Sequence, residues 1–287
     1  MSQPERPRLL MIHEIAYLTV WAALAVAFVV TGKAQAFDLV LPFQAVVMLF
    51  LAKKAPAGTK GLWWQARLWF PVAAINITYF WLGSAIPRLR EWRADAALCA
   101  VDRFFFGDCL AVLVSPHVQG WSRDLLSGAY LLYFPLWVGL LLWSYTRPGN
   151  FQRACFSGLA LVHALGFLGY ALFPAAGPFS YAPLAEQLTA TGGWLTHFNT
   201  GIVHRGCNGV DVFPSLHTAN TLFVLLSSRG FSKKVFHILL IPCLLVISAT
   251  IGLQYHYALD VLAGAVLGTT GWLLTTRRVY RKEGRSF

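Results

Sequence analysis

The stretch FPSLHTANTLFVLL, residues 213–226, places two reactive side chains at the entrance of an apolar run. Ser215 and His217 follow Pro214, a residue that suits the first turn of a helix because its missing N–H costs nothing there. The unpaired N–H groups and positive dipole end of a helix start favour a bound anion such as phosphate. The stretch therefore predicts a membrane helix with a polar site at its mouth. Ser215 either caps this helix or holds the anion.

The composition of the chain is that of a membrane protein. Of its 287 residues, 57% are hydrophobic and 12% are charged, whereas soluble domains carry about twice that share of charge. Several apolar runs approach the ~20 residues that a bilayer-spanning helix needs. These runs are continuous rather than alternating, which argues against a β-barrel. We therefore predict an all-α, polytopic transmembrane helical bundle.

Eight spans fit the apolar runs, and the second and sixth are the shortest. The predicted spans are residues 15–31, 37–52, 68–86, 125–145, 155–173, 214–228, 235–252 and 257–276.

The basic residues orient these spans. With the N-terminus in the cytoplasm, 16 of the 23 Lys and Arg residues fall in cytoplasmic segments, as the positive-inside rule requires. An even number of spans returns the C-terminus to the cytoplasm. The net charge of +11 is then a topology signal, and no nucleic-acid partner is expected. We expect an integral protein of a bacterial inner membrane, with both termini cytoplasmic and the active site facing the periplasm.

Two long segments lie outside in this topology. Residues 87–124 are apolar but punctuated by charges, which predicts an amphipathic piece in or dipping into the outer leaflet. A ninth span is the alternative, although it would break the charge bias downstream. Residues 174–213 form a loop of about 40 residues, and loops of this length are usually functional or mobile.

A second polar motif, YHYALD, opens the last predicted span. His256 and Asp260 are four residues apart, so we expect them on one side of a helix. The carboxylate would then accept a hydrogen bond from one imidazole nitrogen and leave the other nitrogen as a base or nucleophile. A buried polar pair that only stabilises the helix end is the alternative. Ionisable residues inside membrane spans are usually functional, which favours a site.

The topology brings both motifs, together with the end of the fifth span, to one outer rim. Two histidines beside a helix start suggest phosphoryl transfer through a covalent intermediate. His256 would attack phosphorus, and Asp260 would stabilise the imidazolium. His217 would protonate the leaving oxygen and then accept a proton from the incoming group. Ser215 and nearby backbone N–H groups would hold the phosphate oxygens.

Both motifs resemble those of a known family. FPSLH followed by HYALD is similar to the second and third motifs of the PAP2 superfamily, the type-2 phosphatidic acid phosphatases. The FGD segment after Asp102, the FPAAGP turn and the HY-x3-D form look closest to the branch of inositol-phosphorylceramide synthase-like phosphotransferases. The resemblance covers about residues 95–276. It implies a PAP2-like six-helix catalytic core, preceded by transmembrane helices in residues 1–94 and followed by a basic cytoplasmic tail in residues 277–287.

The resemblance also implies roles for individual residues. His217, His256 and Asp260 would form the catalytic triad, and Ser215 would be a phosphate ligand. The family needs no metal ion, and the five cysteines show no metal-type spacing. No metal and no cofactor are therefore expected.

The chain departs from the family pattern in its cations. The first motif of the family, a Lys six residues ahead of Arg-Pro, has no counterpart. The Arg-Pro pair at residues 147–148 falls on the cytoplasmic side, and Ala-Thr at residues 249–250 replaces the Ser-Arg of the third motif. The phosphate therefore needs another positive group. Arg205 is our first candidate, followed by Arg103 and Arg88, and a solvated loop charge is the alternative reading of Arg205.

Further residues are expected to shape the site. Gly264 and Gly268 form a GxxxG pattern, which predicts close packing of the last span against the sixth. Two of the three outer cysteines can pair in an oxidising periplasm. These cysteines are Cys99, Cys109 and Cys207. The residues expected to line the substrate pocket are Pro174, Gly177, Pro178, Tyr255 and Tyr257.

The leading hypothesis is a membrane enzyme that cleaves a lipid phosphoester at the outer leaflet through a phosphorylated His256. We favour transfer of a phosphoryl group or phospho-headgroup from a membrane lipid to a lipid or polar alcohol. The first alternative is a lipid phosphate phosphatase, with a phosphatidic acid, phosphatidylglycerophosphate, polyprenyl or lipid A type of substrate. A non-catalytic lipid transporter or scramblase is the second. An intramembrane serine protease built on Ser215 is the weakest alternative.

Overall fold

A computed structural model describes residues 9–56 and 59–282 as helices joined by short connections. Within these residues there are fourteen α-helices and no β-strand. They are α1 (Ile12–Val30), α2 (Val40–Lys54), α3 (Leu62–Leu89), α4 (Asp95–Phe106), α5 (Leu110–Val114), α6 (Trp121–Leu131), α7 (Tyr133–Ser144), α8 (Gly149–Leu172), α9 (Ala182–Ala185), α10 (Trp194–Gly206), α11 (Leu216–Arg229), α12 (Lys233–Gly252), α13 (Ala258–Leu274) and α14 (Thr276–Lys282). The basic residues Arg6, Arg8 and Arg285, predicted to be cytoplasmic, lie outside the described residues.

Seven helical segments of the described chain are long and apolar enough to cross a membrane, so the predicted polytopic helical bundle is confirmed. These segments are Ile12–Val30, Ala36–Lys54, Leu62–Leu89, Trp121–Ser144, Gly149–Leu172, Lys233–Gly252 and Ala258–Arg281. The predicted sixth span is the exception. It corresponds to α11, whose 14 residues fall short of the ~20 that span a bilayer.

The outer segment at residues 87–124 folds as short helices rather than as a ninth span. In α4 one side of the helix is buried, whereas Phe104, Phe105 and Phe106 are exposed at its end. This pattern fits the predicted amphipathic segment. The predicted loop at 174–213 contains the thirteen-residue helix α10. Asp124 accepts hydrogen bonds from the backbone N–H groups of Gly193 and Thr196, both at 2.9 Å, and thereby fixes the start of α10.

Helix α8 runs through the centre of the bundle, and most of its residues are buried. Glycines on this helix let α11 approach closely. A Cβ on Gly166 would lie 2.5 Å from the Leu216 side chain, and a Cβ on Gly169 would overlap the ring of Pro214. The small residues of α8 therefore determine where the FPSLH segment rests.

The GxxxG pattern of the last span acts as predicted, because α13 packs directly on α11. A Cβ on Gly264 would overlap the carbonyl oxygen of Ser215, and a Cβ on Gly268 would overlap that of Ala219. Close packing of the two helices is therefore confirmed. It brings the YHYALD segment against the FPSLH segment.

A buried ion pair joins α1 to α3 near the start of α3. Arg67 donates from Nε to Oε1 of Glu14 at 2.7 Å and from Nη2 to Oε2 at 2.6 Å, and both side chains are 1% exposed. Arg67 also donates to the carbonyl oxygens of Leu9 and Ala55. The pair is thus fully hydrogen-bonded, which a buried ion pair requires.

Candidate active site

The two predicted motifs meet at the start of α11. Ser215 caps this helix, since its Oγ accepts the N–H of Thr218 at 3.2 Å. The same Oγ lies 3.4 Å from Nε2 of His256. The ring centroids of His217 and His256 are 5.8 Å apart. A helix N-terminus, a hydroxyl and two imidazoles therefore share one site.

His256 and Asp260 are in contact, but the predicted geometry of this pair is wrong. Helix α13 begins at Ala258, so His256 lies in the turn before it rather than on its side. Asp260, in the first turn, accepts the N–H of Tyr257 at 3.1 Å and faces Nδ1 of His256 at 3.2 Å through the same Oδ2. The carboxylate thus caps the helix and orients the imidazole. With the Nδ1 proton toward Asp260, the lone pair of Nε2 points toward Ser215.

His217 is held between two tyrosine rings. The ring of Tyr130 stacks on it with centroids 4.5 Å apart, and the ring of Tyr133 lies at 4.1 Å. The hydroxyl of Tyr130 is 3.4 Å from Nδ1 of His217. Tyr133 is fixed in turn by Asn220, whose Nδ2 donates to its hydroxyl at 2.6 Å and lies 3.2 Å from Nε2 of His163. Nδ1 of His163 lies 2.9 Å from the carbonyl oxygen of Leu159, so both nitrogens of this buried ring have a polar neighbour.

Sequence reasoning missed these tyrosines, although the spacing YLLY held a signal. Residues three apart face the same side of a helix, and the helical segment Trp121–Ser144 contains both Tyr130 and Tyr133. Here that shared direction is toward His217. The sequence did not show which helix these two tyrosines would face.

Asp211 is a second carboxylate near the site that sequence reasoning missed. It accepts a hydrogen bond from the hydroxyl of Tyr79. Burial raises the pKa of the Asp211 carboxyl, and the bond from Tyr79 and the charge of His256 lower that pKa in part. Asp211 and His217 are partly exposed, whereas Ser215 and Asp260 are fully buried. The open side of the site therefore carries Asp211 and His217.

Arg123 is a buried cation beside the site. Its side chain is 4% exposed, and Nη1 donates to Oε1 of Gln254 at 2.9 Å. Nε of Arg123 has no hydrogen-bond partner, and within the described chain no carboxylate pairs with this guanidinium. Gln254 is two residues before His256. A desolvated charge without a counter-ion is costly, so this position favours a bound anion.

The three arginines predicted to replace the family's cations differ in their partners. Arg103 pairs with Asp108 at 3.2 Å, and Arg88 pairs with Asp38 at 2.5 Å. Arg205 is exposed on α10. Arg103 and Arg88 are already neutralised by carboxylates. Phosphate binding by Arg205 stays a prediction.

Asp95 joins the FPAAGP turn to the turn that carries His256. This carboxylate accepts the N–H of Gly177 at 2.9 Å and the hydroxyl of Tyr257 at 3.0 Å. Gly177 adopts a φ of 88°, and a Cβ there would lie 2.6 Å from the carbonyl oxygen of Tyr255. Asp102, also buried, accepts the first N–H of α13, that of Ala258, at 3.1 Å. Two carboxylates from α4 therefore hold the turn that carries His256.

The residues predicted to line the pocket occupy different surroundings. The Pro174 carbonyl accepts the N–H of Ala94 at 2.8 Å, and Gly177 and Tyr257 are bonded to Asp95 as described. Tyr255 contacts the ring of Tyr130 at 4.9 Å, next to His217. Tyr255 thus contacts the Tyr130 ring that stacks on His217, and contact of the five residues with substrate stays a prediction.

All five cysteines are free thiols in the structure. Cys99 and Cys109 are adjacent, and burial together with this neighbour raises the pKa of Cys109 to about 12. Cys207 is partly exposed. Within residues 9–56 and 59–282, no three His, Cys, Asp or Glu side chains are grouped as metal ligands.

The fold and site together define an integral membrane protein with a histidine-based site at a helix N-terminus. A sequence profile of the PAP2 superfamily matches residues 96–274, which is 179 of the 287 residues. The chain therefore belongs to the PAP2 superfamily, as the two motifs predicted.

Among characterised proteins, the chain is similar to the phosphoinositol dihydroceramide synthase of Bacteroides thetaiotaomicron. The two are 26% identical over 231 residues, which cover 71% of this chain and 74% of that protein. No solved structure matched the chain. The relative belongs to the inositol-phosphorylceramide synthase-like branch that the motifs resemble.

Proposed function

We propose that the protein is a lipid phosphotransferase that moves a phospho-headgroup to a lipid alcohol through a phosphorylated His256. The observation that carries this proposal is the position of Nε2 of His256. It lies 3.4 Å from the Ser215 Oγ at a helix N-terminus, with Nδ1 of the same ring on Asp260. An oriented imidazole beside a helix start is suited to nucleophilic attack on a phosphate.

The first step forms a bond from Nε2 of His256 to phosphorus and breaks the bond from phosphorus to the leaving alcohol oxygen. Protonated His217 donates its proton to that oxygen. In the second step the acceptor hydroxyl gives its proton to His217 and bonds to phosphorus, and the nitrogen–phosphorus bond breaks. Asp260 balances the charge of the His256 ring during both steps, and Ser215 holds a phosphate oxygen.

In this scheme Arg123 supplies the positive charge for the phosphate, because the basic residues of the family's first and third motifs are missing from this chain. It is buried, it has no carboxylate partner in the described chain, and it reaches the turn of His256 through Gln254. Arg205 remains the second candidate. Its exposure makes a strong electrostatic contribution harder to obtain, because solvent screens a surface charge.

The name of the relative suggests the two substrates. A phosphoinositol dihydroceramide synthase joins a phosphoinositol group to a ceramide-type alcohol, so we propose a phosphoinositol lipid as donor and dihydroceramide as acceptor. Asp211 and Tyr79, on the open side of the site, would bind hydroxyl groups of the inositol ring or the acceptor. The active site would face the periplasm, with both termini in the cytoplasm.

The test is an assay of the purified protein with inositol-labelled phosphatidylinositol and dihydroceramide. Transfer predicts a labelled sphingolipid whose formation needs both substrates. Release of soluble inositol phosphate without a new lipid would show a hydrolase and contradict the proposal. Because the scheme assigns the phosphate to Arg123, Ser215 and backbone N–H groups, we expect EDTA to leave the rate unchanged.

The same geometry suits a serine nucleophile, since Ser215, His256 and Asp260 follow in hydrogen-bonding order. Quenching the reaction with labelled donor separates the two schemes. Phosphohistidine is acid-labile and survives alkali, whereas phosphoserine survives acid. Covalent label in Ser215→Ala but not in His256→Ala supports the histidine scheme, and the reverse result contradicts it. A non-catalytic transporter predicts no covalent label in any variant.

A further inference from the structure

A cavity of about 420 Å³ opens between the first turns of α3 and α8. Both helices end at the catalytic side of the bundle, where Arg90 donates to the carbonyl oxygen of Leu172 at 3.4 Å. Helix α8 has 24 residues, which is a length of about 36 Å. The cavity therefore lies about one membrane thickness from His256 and is not part of the active site.

The lining of this cavity is positive. Lys60 and Arg153 both line it, and its nine lining residues, all within the described chain, include no carboxylate. Neither cation forms an ion pair among the described residues. The cavity also receives the N-termini of α3 and α8, two long helices whose dipoles point their positive ends there.

Gln152 adds an observation that is independent of the charges. It lines the cavity, it is 7% exposed, and its Nε2 is buried without a hydrogen-bond partner. A buried amide donor left unpaired lowers stability, so such groups in folded proteins nearly always bond to something. An oxygen atom of a ligand in this cavity would accept that bond.

We infer that this cavity binds the phosphate group of an anionic ligand. Lys60 and Arg153 would neutralise the phosphate, and Nε2 of Gln152 would donate to one of its oxygens. Trp63, beside the cavity on α3, is 51% exposed, as tryptophans at a membrane interface are. The phosphate belongs either to a lipid headgroup or to a soluble phosphate ester. The inference is independent of the proposed reaction.

Native mass spectrometry of the full chain in detergent tests the site with two probes. Dioleoyl phosphatidic acid represents the lipid source, and glycerol 3-phosphate represents the soluble source. We compare Lys60→Gln/Arg153→Gln with the matched control Lys53→Gln/Lys234→Gln, which removes two exposed cations from the same end of the bundle. Gln152→Met keeps the side-chain volume without the donor, and thermal unfolding identifies variants that fail to fold.

We expect Lys60→Gln/Arg153→Gln to weaken binding of one probe by about tenfold or more, because the variant loses charge-assisted hydrogen bonds to the anion. Gln152→Met should weaken the same probe less, and the control should bind as the unsubstituted chain does. If only phosphatidic acid binding is lost, the ligand is a lipid headgroup. If only glycerol 3-phosphate binding is lost, the ligand is a soluble phosphate ester. Equal binding of both probes to the cavity variant and the control overturns the inference.

An Arg123→Gln sample run in parallel keeps this result separate from the proposed function. Phosphatidic acid also resembles the lipid phosphate expected at the active site. Binding lost in Arg123→Gln but kept in Lys60→Gln/Arg153→Gln would belong to the active site and would count against the cavity. Binding lost only in the cavity variant supports the second site, whether or not transfer activity is found.

Discussion

The two imidazoles of the site differ in what surrounds them. His256 faces a carboxylate through Nδ1 and a hydroxyl through Nε2, whereas His217 lies between the rings of Tyr130 and Tyr133. An imidazole hydrogen-bonded to a carboxylate is oriented and its cation is stabilised, which suits a nucleophile. A ring that is partly exposed and free at one nitrogen suits proton exchange with a substrate.

His256→Ala should lower the transfer rate by about 10³-fold or more, because loss of a nucleophile removes the covalent route. Asp260→Asn should lower it less and leave phosphoenzyme formation detectable, since the nucleophile remains. Rates with labelled donor lipid measure both effects. Substantial transfer by His256→Ala would show that Nε2 does not attack phosphorus.

Arg123→Gln should lower the transfer rate by about 10²-fold, because removal of one group that stabilises charge in the transition state costs that much. Arg205→Gln is the matched control, an arginine on the same side of the bundle that is exposed. It should change the rate little, as solvent-exposed charges do. The reverse order of effects would assign the phosphate to Arg205.

At the scale of secondary-structure elements, two glycines set the distance between α11 and α13. Gly264→Ala would place a methyl group against the carbonyl oxygen of Ser215. We expect this contact to displace the start of α11 and to lower activity at least tenfold. Overpacking of this kind reduces the free energy of unfolding by about 1–3 kcal/mol. Gly139→Ala is the control, since a Cβ there meets nothing within 4 Å. Thermal unfolding and transfer rates of both variants provide the comparison, and equal behaviour would contradict close packing as the cause.

The carboxylates of α4 should be as important for activity as the turn with His256 that they hold in place. Asp95→Asn retains one acceptor oxygen for Gly177 and Tyr257, which both bond to Oδ1, but it loses the negative charge that strengthens these bonds. We expect a loss of about 1–3 kcal/mol in stability and a lower transfer rate. Asp108→Asn removes an exposed ion pair on the same segment and should change neither. Full activity of Asp95→Asn would show that the turn does not depend on this anchor.

The sequence predicted the helices more accurately than the turns and side-chain contacts that connect them. Apolar runs predicted eight spans, of which seven correspond to helices long enough to cross a membrane, and GxxxG predicted the α11–α13 contact. The position of His256 before α13 was missed because Asp260 caps the helix, and a capping bond depends on where the chain turns. Arg123 and Asp95 were missed because their partners, Gln254 and Gly177, are distant in sequence. Such pairings depend on tertiary packing, which composition and spacing do not encode.

At the scale of the whole molecule, the proposed topology has a direct test. Fusions of a fluorescent protein and of alkaline phosphatase to the C-terminus report opposite sides of a bacterial inner membrane, since the phosphatase folds only in the oxidising periplasm. We expect a fluorescent fusion and an inactive phosphatase fusion at the C-terminus. A phosphatase inserted after Gly120, beside the start of α6, should be active. An active phosphatase at the C-terminus would invert the orientation.

The shortness of α11 has a consequence for the depth at which the proposed reaction would take place. Its 14 residues measure about 21 Å, against a hydrocarbon thickness of about 30 Å. Arg229 ends the helix and Lys233 and Lys234 follow it, and basic residues at such a position anchor a helix at the interface. In the proposed reaction, the phosphorus at this helix start would be held below the headgroup plane, and the lipid would reach it by lateral diffusion. The rate should therefore follow the mole fraction of donor lipid in the bilayer and be insensitive to its bulk concentration.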